Sequence, residues 1–254
     1  MEPLTERSPR VVAAVKLLRA AHRRKTGTFL VEGSNAVTSA LATGRVQELF
    51  YTPAHAGLAH QASVPSFPVT ERAARALADT VTPPGVVAVC AQLDIPLDRL
   101  DSPRLLAVPV EAAEPGNAGT LIRVADAAGA DAVVFAGDSV DPHNGKSVRA
   151  SAGSFFHLPV VRERSVDTVL QALSGLQVLA TAADGELALD DAELSRPTAW
   201  LFGNEAHGLD PEIAARADHR VRIPIYGRAE SLNLATAAAV CLYASARALH
   251  GRRS

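Results

Sequence analysis

The sequence predicts an α/β fold in two parts: a carboxy-terminal α/β domain built on a parallel sheet, preceded by a smaller α/β domain. Short apolar runs alternate with helix-like segments along the whole chain. The runs of the second half are apolar at successive positions, as in strands buried on both faces of a parallel sheet. Between the halves, residues 94–103 read DIPLDRLDSP, a stretch rich in proline and aspartate that breaks the pattern. The expected boundaries are 1–95 for the smaller domain, 96–103 for a linker and 104–254 for the larger domain.

The elements follow in order. A first helix begins after Ser8, a capping residue type, with Pro9 in its first turn and Val12, Val15 and Leu18 at helical spacing. Its bases gather in the last turn, where they also complement the helix dipole. A strand at 28–31 (TFLV), a helix at 34–42, a strand at 46–51, a helix at 71–78 and a strand at 85–93 complete the first half. The second half opens with the strand 104–110 (RLLAVPV) and a helix at 117–129 that ends on glycine. Apolar runs at 132–136, 158–161, 178–182 and 199–202 read as buried strands, 220–225 as another, and 231–249 as a long alanine-rich helix.

Composition narrows the function classes. With 254 residues, 48% hydrophobic and 20% charged, the chain has enough apolar content for one or two cores and is not a disordered chain. A net charge of −2 gives no bulk attraction to nucleic acid. The charge is uneven, however: residues 1–95 carry a net +3 and the remainder −5. Residues 1–25 hold Arg7, Arg10, Lys16, Arg19, Arg23, Arg24 and Lys25 against Glu2 and Glu6, which marks either a site for an anionic partner or a solvated helix face. Aromatics at 4% argue against binding by many stacked rings. Cys90 and Cys241 form neither a disulfide framework nor a zinc pattern, and no HExxH is present, so no metal is expected. The start MEPLTERSPR lacks an apolar h-region, and the uncharged stretch 231–246 is short and carries Asn233 and Thr236. A cytoplasmic protein with no membrane contact is expected.

The phosphate-binding P-loop and the GxGxxG fingerprint are both absent. Gly137-Asp138-Ser139 resembles the start of an esterase block but reads better as a turn after a strand. Three other blocks carry more. Residues 114–123 (EPGNAGTLIR) follow a strand and open a helix, with Asn117 suited to capping it and Gly119 to close approach. Residues 201–209 (LFGNEAHGL) end a strand in a glycine-flanked polar loop, where α/β sheets bind ligands. Residues 223–234 (IPIYGRAESLNL) lead into the last helix, which Ser231 is placed to cap.

In this order and spacing, the blocks resemble those of the SpoU (TrmH-like) family of RNA ribose 2′-O-methyltransferases, of the SPOUT superfamily. The likeness is carried by Asn117, Gly119 and Arg123, continuing into Asp141-Pro142-His143-Asn144, Lys146, Arg149 and Ser151-Ala152-Gly153. It returns at Phe202-Gly203-Asn204-Glu205 with Gly208-Leu209, and at Ile223-Pro224 with Ser231-Leu232-Asn233. It reaches the first half through residues 27–33 (GTFLVEG) and 82–86 (TPPGV), which look like the family's small substrate-binding domain.

The resemblance implies a SPOUT α/β domain with a deep trefoil knot, S-adenosylmethionine as cofactor and a homodimer joined through the carboxy-terminal domain. It implies cofactor contacts at Thr181, Ala182, Ala183, Leu201, Phe202, Gly203, Ile223, Ser231 and Leu232. It assigns the reaction to Asn117, Arg123, Glu205 and Asn233. An arginine is effectively always protonated, so Arg123 is expected to clamp a phosphate and stabilise developing charge rather than act as a base. RNA contacts are expected at Arg19, Arg23, Arg24, Lys25, Lys146 and Arg149. Position 206 is alanine where the family more often has glycine, and if the loop needs a left-handed backbone there, Ala206 is strained. The implied substrate is RNA, 23S ribosomal RNA ahead of transfer RNA. A non-catalytic RNA-binding or ribosome-assembly factor on the same fold, and a hydrolase using Ser139, are the competing readings.

Overall fold

The computed structural model describes residues 2–251. The elements run α1 Pro9–Val15, α2 Ala20–Thr26, β1 Thr28–Glu32, α3 Ser34–Ala42, β2 Val46–Tyr51, α4 Ala56–Gln61, β3 Ser66–Pro68, α5 Glu71–Leu77 and β4 Val86–Ala91. Next come β5 Leu105–Pro109, α6 Pro115–Ala128, β6 Ala132–Ala136, α7 Gly145–Ala150, β7 Val160–Glu163, α8 Val166–Ala172 and β8 Gln177–Thr181. Then follow β9 Leu187–Ala188, β10 Thr198–Phe202, α9 Pro211–Ala214, β11 His219–Arg222 and α10 Leu234–His250. They form two compact units, one of residues 2–93 with Asp141–Phe156, the other of Asp94–Val140 with residues 157–251.

The first unit holds a four-stranded sheet in the order β1-β4-β2-β3, with β4 antiparallel to both neighbours and β3 parallel to β2. Val11, Leu17, Leu30, Phe50, Leu77 and Val87 make a core on one side. The single first helix read from the sequence is two helices. The chain passes through a 3-10 turn at Lys16–Leu18 and extends at Arg19 (φ −94°, ψ 129°) before α2 begins. The break frees the carbonyls of Leu17 and Leu18, and the Arg23 guanidinium donates to both at 3.0 Å. The rest of that guanidinium grips Asp141, at 2.8 and 2.7 Å. His143 is wholly buried, with its ring edge-on to Phe29 and Phe155 at 4.7 and 5.0 Å. Asn144 caps α7, and Arg149 on that helix pairs with the buried Glu32. These contacts fasten Asp141–Phe156 into the first unit, although the sequence places it among the later strands.

The second unit is a seven-stranded sheet, β7-β6-β5-β10-β8-β11-β9, in which every pairing is parallel. The chain lays down β5, β6 and β7 outward, crosses to β8 and β9, then returns to insert β10 between β5 and β8. That position explains why all five residues of β10 are buried. Helix α10 packs along α6, where Ala118, Gly119 and Ala125 face the unit's interior with Ala235 and Ala238. Small residues let the two helix backbones approach closely. Trp200 on β10 donates its indole N–H to Ser245 on α10 at 2.9 Å. Ile95, Leu97 and Leu100 pack onto this unit's core, so residues 96–103 are not a free tether. No helix among the described residues is long and apolar enough to cross a membrane.

Candidate active site

In a parallel sheet the carboxyl ends of β5, β8, β10 and β11 share one edge, and loops at such an edge are where open α/β sheets hold ligands. A cavity of about 840 Å³ lies there, lined by residues that follow β8 (Ala182, Ala183, Asp184), the loop 202–209 after β10, Asn117 on α6 and Ser231–Leu234. Its volume suits a small-molecule site.

The polar wall is one directed chain of hydrogen bonds. Asn233 is the N-cap of α10, and its Oδ1 accepts from the N–H of Ala235 at 2.9 Å and of Thr236 at 3.4 Å. Capping fixes the amide's orientation, so its Nδ2 donates to Asn117 Oδ1 at 2.9 Å. Asn117 must then donate from Nδ2, and it does so to Glu205 Oε1 at 3.0 Å. The Glu205 carboxylate also accepts from the N–H groups of Ala113 and Glu114, at 2.9 and 3.2 Å, at the entry to α6. Burial alone would raise the Glu205 pKa, but these donors outweigh it and hold the carboxyl below its ordinary value. Glu205 is thus an ionised acceptor with its capacity largely used.

Two expectations about caps change here. Helix α6 begins at Pro115 with Glu114 in the cap position, so Asn117 lies inside the first turn and its amide is free for the network. Asn233, not Ser231, caps α10. The loop after β10 is internally braced: Asn204 and Gly208 exchange two backbone hydrogen bonds at 3.0 and 2.9 Å, and Asn204 Oδ1 accepts from the Ala206 N–H at 2.8 Å. A Cβ on Gly203 would lie 2.2 Å from the Gly208 carbonyl carbon, so only glycine fits. Among the described residues the non-glycine positive φ values belong to Ser102, Glu111 and Ala152, so Ala206 carries no left-handed strain. Glu111, at φ 52°, turns the chain beyond β5, and its carbonyl accepts from Asn204 Nδ2 at 2.7 Å. Sequence reasoning missed Asn204 and Glu111 as braces, since their partners lie some ninety residues apart in the chain.

Arg123 is not part of this wall. It sits two turns along α6 on the exposed face, does not line the cavity, and has no hydrogen bond or ion pair among the described residues. Of the expected cofactor contacts, Thr181, Ala182, Ala183, Phe202, Gly203, Ser231 and Leu232 line the first cavity. Ile223 lines a second cavity of about 510 Å³, which shares Thr181–Ala183, Ser231 and Leu232 with the first. The Leu201 side chain lies in the core, and only its carbonyl serves the site edge, accepting from Thr181 Oγ1 at 3.1 Å. Of the expected RNA contacts, Arg19, Arg24, Lys25 and Lys146 are exposed. Arg23 is a correction: it is 3% exposed and held by Asp141, so it is a structural cation rather than an RNA contact. Arg149 likewise is engaged by Glu32, with Asp79 at 3.7 Å.

Ser139 is also structural, since its hydroxyl donates to the Ala136 carbonyl at 2.7 Å and accepts from the Ala112 N–H at 3.1 Å. Burial pushes the Cys90 thiol up to about 12, against the opposing charge of Arg45, and raises that of Cys241 too. Neither is a nucleophile. The cavity wall fits a cationic, partly apolar cofactor. Asp184 and Glu205 line it, its Arg220 is paired with Asp184 and Glu186, and the rest is largely backbone and small apolar side chains.

Residues 104–243 match the SpoU rRNA methylase family, and residues 8–88 match the MRM3-like substrate binding domain. The chain belongs to the SpoU rRNA methylase family. Within that family it is 37% identical to the 23S rRNA (guanosine(2553)-2′-O)-methyltransferase RlmP of Bacillus subtilis, over 90% of this chain and 92% of that one. Its fold matches the AdoMet-bound rRNA methyltransferase of Sinorhizobium meliloti with a TM-score of 0.87 at 32% identity, covering 97% of each chain. The SpoU methyltransferase AviRb of Streptomyces viridochromogenes, in complex with AdoMet, matches with a TM-score of 0.87 at 31% identity, over 95% of this chain and 98% of that one. The SpoU match covers the sheet, the cavity and the Glu205–Asn117–Asn233 chain, and the substrate-domain match covers most of the first unit.

Proposed function

We propose that this chain transfers a methyl group from S-adenosylmethionine to a ribose 2′-hydroxyl of RNA, with 23S ribosomal RNA as the substrate. The observation that carries this reading is the hydrogen-bonded run Glu205–Asn117–Asn233, which ties three separated sequence blocks of an rRNA methylase family to one cavity. When bound, S-adenosylmethionine supplies a methyl on a sulfonium centre.

The chain's own residues orient the acceptor. A side-chain amide has two N–H donors, and the network uses one from Asn117 and one from Asn233. The second donor of each is available to a ribose oxygen at the cavity. Glu205 holds Asn117 in that pose and is a positioning residue. It is not the proton acceptor, because protonating it would give up the hydrogen bonds that lower its pKa. Arg123, exposed and unpaired among the described residues, is assigned to an RNA phosphate. Arg19, Arg24, Lys25 and Lys146 extend the phosphate contacts on the first unit.

The reading extends to a trefoil knot in the second unit, the domain roles given by the 1–95 and 104–254 boundaries, a cytoplasmic setting, and a homodimer. The dimer is supported by the exposed face of α10, where Val240 and Tyr243 are 38% and 49% exposed. The deciding experiment is methyl transfer from labelled S-adenosylmethionine to separated 23S ribosomal and transfer RNA, followed by nucleoside analysis. Label in a 2′-O-methyl nucleoside of 23S rRNA is expected. Label in transfer RNA alone moves the substrate, and no label with intact cofactor binding on RNA and ribosomal subunits favours the non-catalytic reading. Arg123→Ala is expected to weaken RNA affinity and raise the RNA KM while cofactor affinity, measured by calorimetry, stays within a few-fold.

A further inference from the structure

The loop between β11 and α10 carries two side chains that the reaction above does not use. Tyr226 is 91% exposed and Arg228 is exposed, and neither makes a hydrogen bond, ion pair or ring contact with another described residue. A tyrosine ring offers two broad apolar faces, so near-complete exposure leaves that surface for a partner. The other aromatic rings of the second unit are placed differently. Phe135, Trp200 and Phe202 are at most 2% exposed, and the Tyr243 hydroxyl reaches the Ala127 carbonyl.

The position of the loop limits the choice of partner. Ile225 and Tyr226 line the cavity of about 510 Å³ that shares a wall with the reaction cavity, and the loop ends on Asn233, whose amide holds Asn117. A ligand on Tyr226 therefore lies on the loop that runs into Asn233, one of the two amides assigned to the ribose. A ring face with a guanidinium two residues away suits single-stranded nucleic acid, which lays a base on the ring and a phosphate on the cation. Glu230, further along the loop, repels a second phosphate, which leaves the exposed ring face to a base.

We propose that Tyr226 stacks on an RNA base at the target site and positions the nucleotide for methylation, with Arg228 pairing with an adjoining phosphate. This rests on the RNA methyltransferase reading. The test uses an unmodified 23S rRNA transcript with the wild-type chain and Tyr226→Ala, Tyr226→Phe and Arg228→Ala. It measures methyl-transfer kinetics, RNA affinity, cofactor affinity by calorimetry, and mass by sedimentation. Tyr226→Ala is expected to weaken RNA affinity and raise the RNA KM by roughly 5- to 150-fold, the range set by aromatic–base stacking. Tyr226→Phe keeps the ring and is expected to restore both. Arg228→Ala is expected to lower the salt slope of RNA binding by about one. Unchanged RNA affinity and KM in Tyr226→Ala overturns the proposal. So does a loss confined to cofactor affinity, which makes the ring a cofactor contact, or a loss that tracks a change in mass, which makes it a subunit contact. If the wild-type chain neither binds the transcript nor methylates it, the methyltransferase reading falls, and this inference with it.

Discussion

Arg23 sits in a run, Arg23-Arg24-Lys25, that reads in sequence as one exposed cationic patch, yet burial splits the run. Its guanidinium answers a half-buried carboxylate and two carbonyls left open by a helix break, whereas its neighbours face solvent. Removing it strands Asp141, so Arg23→Ala is expected to destabilise the first unit by about 3–5 kcal/mol, read by chemical denaturation. Burial would by itself raise the Asp141 pKa, but the His143 hydrogen bond and the Arg23 charge outweigh it, leaving the carboxyl far below its ordinary 3.8. A depressed carboxylate stabilises the folded chain fully above that ordinary value and loses the contribution as pH falls below it. Thermal stability is therefore expected to hold from neutral pH to about 5 and fall below about 4, with the acid step diminished in Asp141→Asn. At Glu205 the carboxylate, not its bulk, is what the network requires. Glu205→Gln presents an amide N–H where an N–H acceptor is needed. It is expected to cut methyl transfer by roughly 5- to 150-fold, the range that 1–3 kcal/mol from an unmatched partner spans. Unchanged turnover in that variant removes Glu205 from the site.

At the scale of elements, the buried strands were legible from apolar runs, and α6 ended at the predicted glycine, Gly129, in its left-handed conformation (φ 71°). The short elements α4, β3, α7, α8, β9 and α9 are not legible in the sequence, because two to seven residues hold too little periodicity to register. Helix starts were displaced because several polar residues in each entry segment are suited to capping, and tertiary contacts choose among them. Asn233 shows what that choice does, since one amide both caps α10 and feeds the Asn117–Glu205 chain. The two roles separate by substitution. Asn233→Ala is expected to cost about 0.5–2 kcal/mol of stability and to lose methyl transfer. Asn233→Asp keeps a capping oxygen but sets a second oxygen against Asn117 Oδ1, so stability is expected to persist while transfer falls. Equal losses of stability in both variants contradict the double role.

For the molecule as a whole, the basic surface on the first unit is smaller than the sequence count implies, because ion pairs hold Arg23 and Arg149. The salt dependence of RNA binding is expected to reflect Arg19, Arg24 and Lys25 instead. Neutralising these three should lower the log–log salt slope by about two, near 0.7–0.9 per lost phosphate contact. A slope unchanged by the triple variant makes that surface a solvated face. The α/β class, the parallel character of the larger sheet, the three motif blocks and the family are all legible in the order of amino acids. Each of these is a local pattern, of apolar runs or of residues a few positions apart. Long-range folding is what brings Asp141–Phe156 into the first unit, joins Glu205, Asn117 and Asn233 in one hydrogen-bonded chain with Arg123 outside it, and sorts the bases that face solvent from those that do not. Those outcomes depend on which groups meet across some ninety to 120 residues of chain, and on burial, which sets whether a charge finds an ion-pair partner or water.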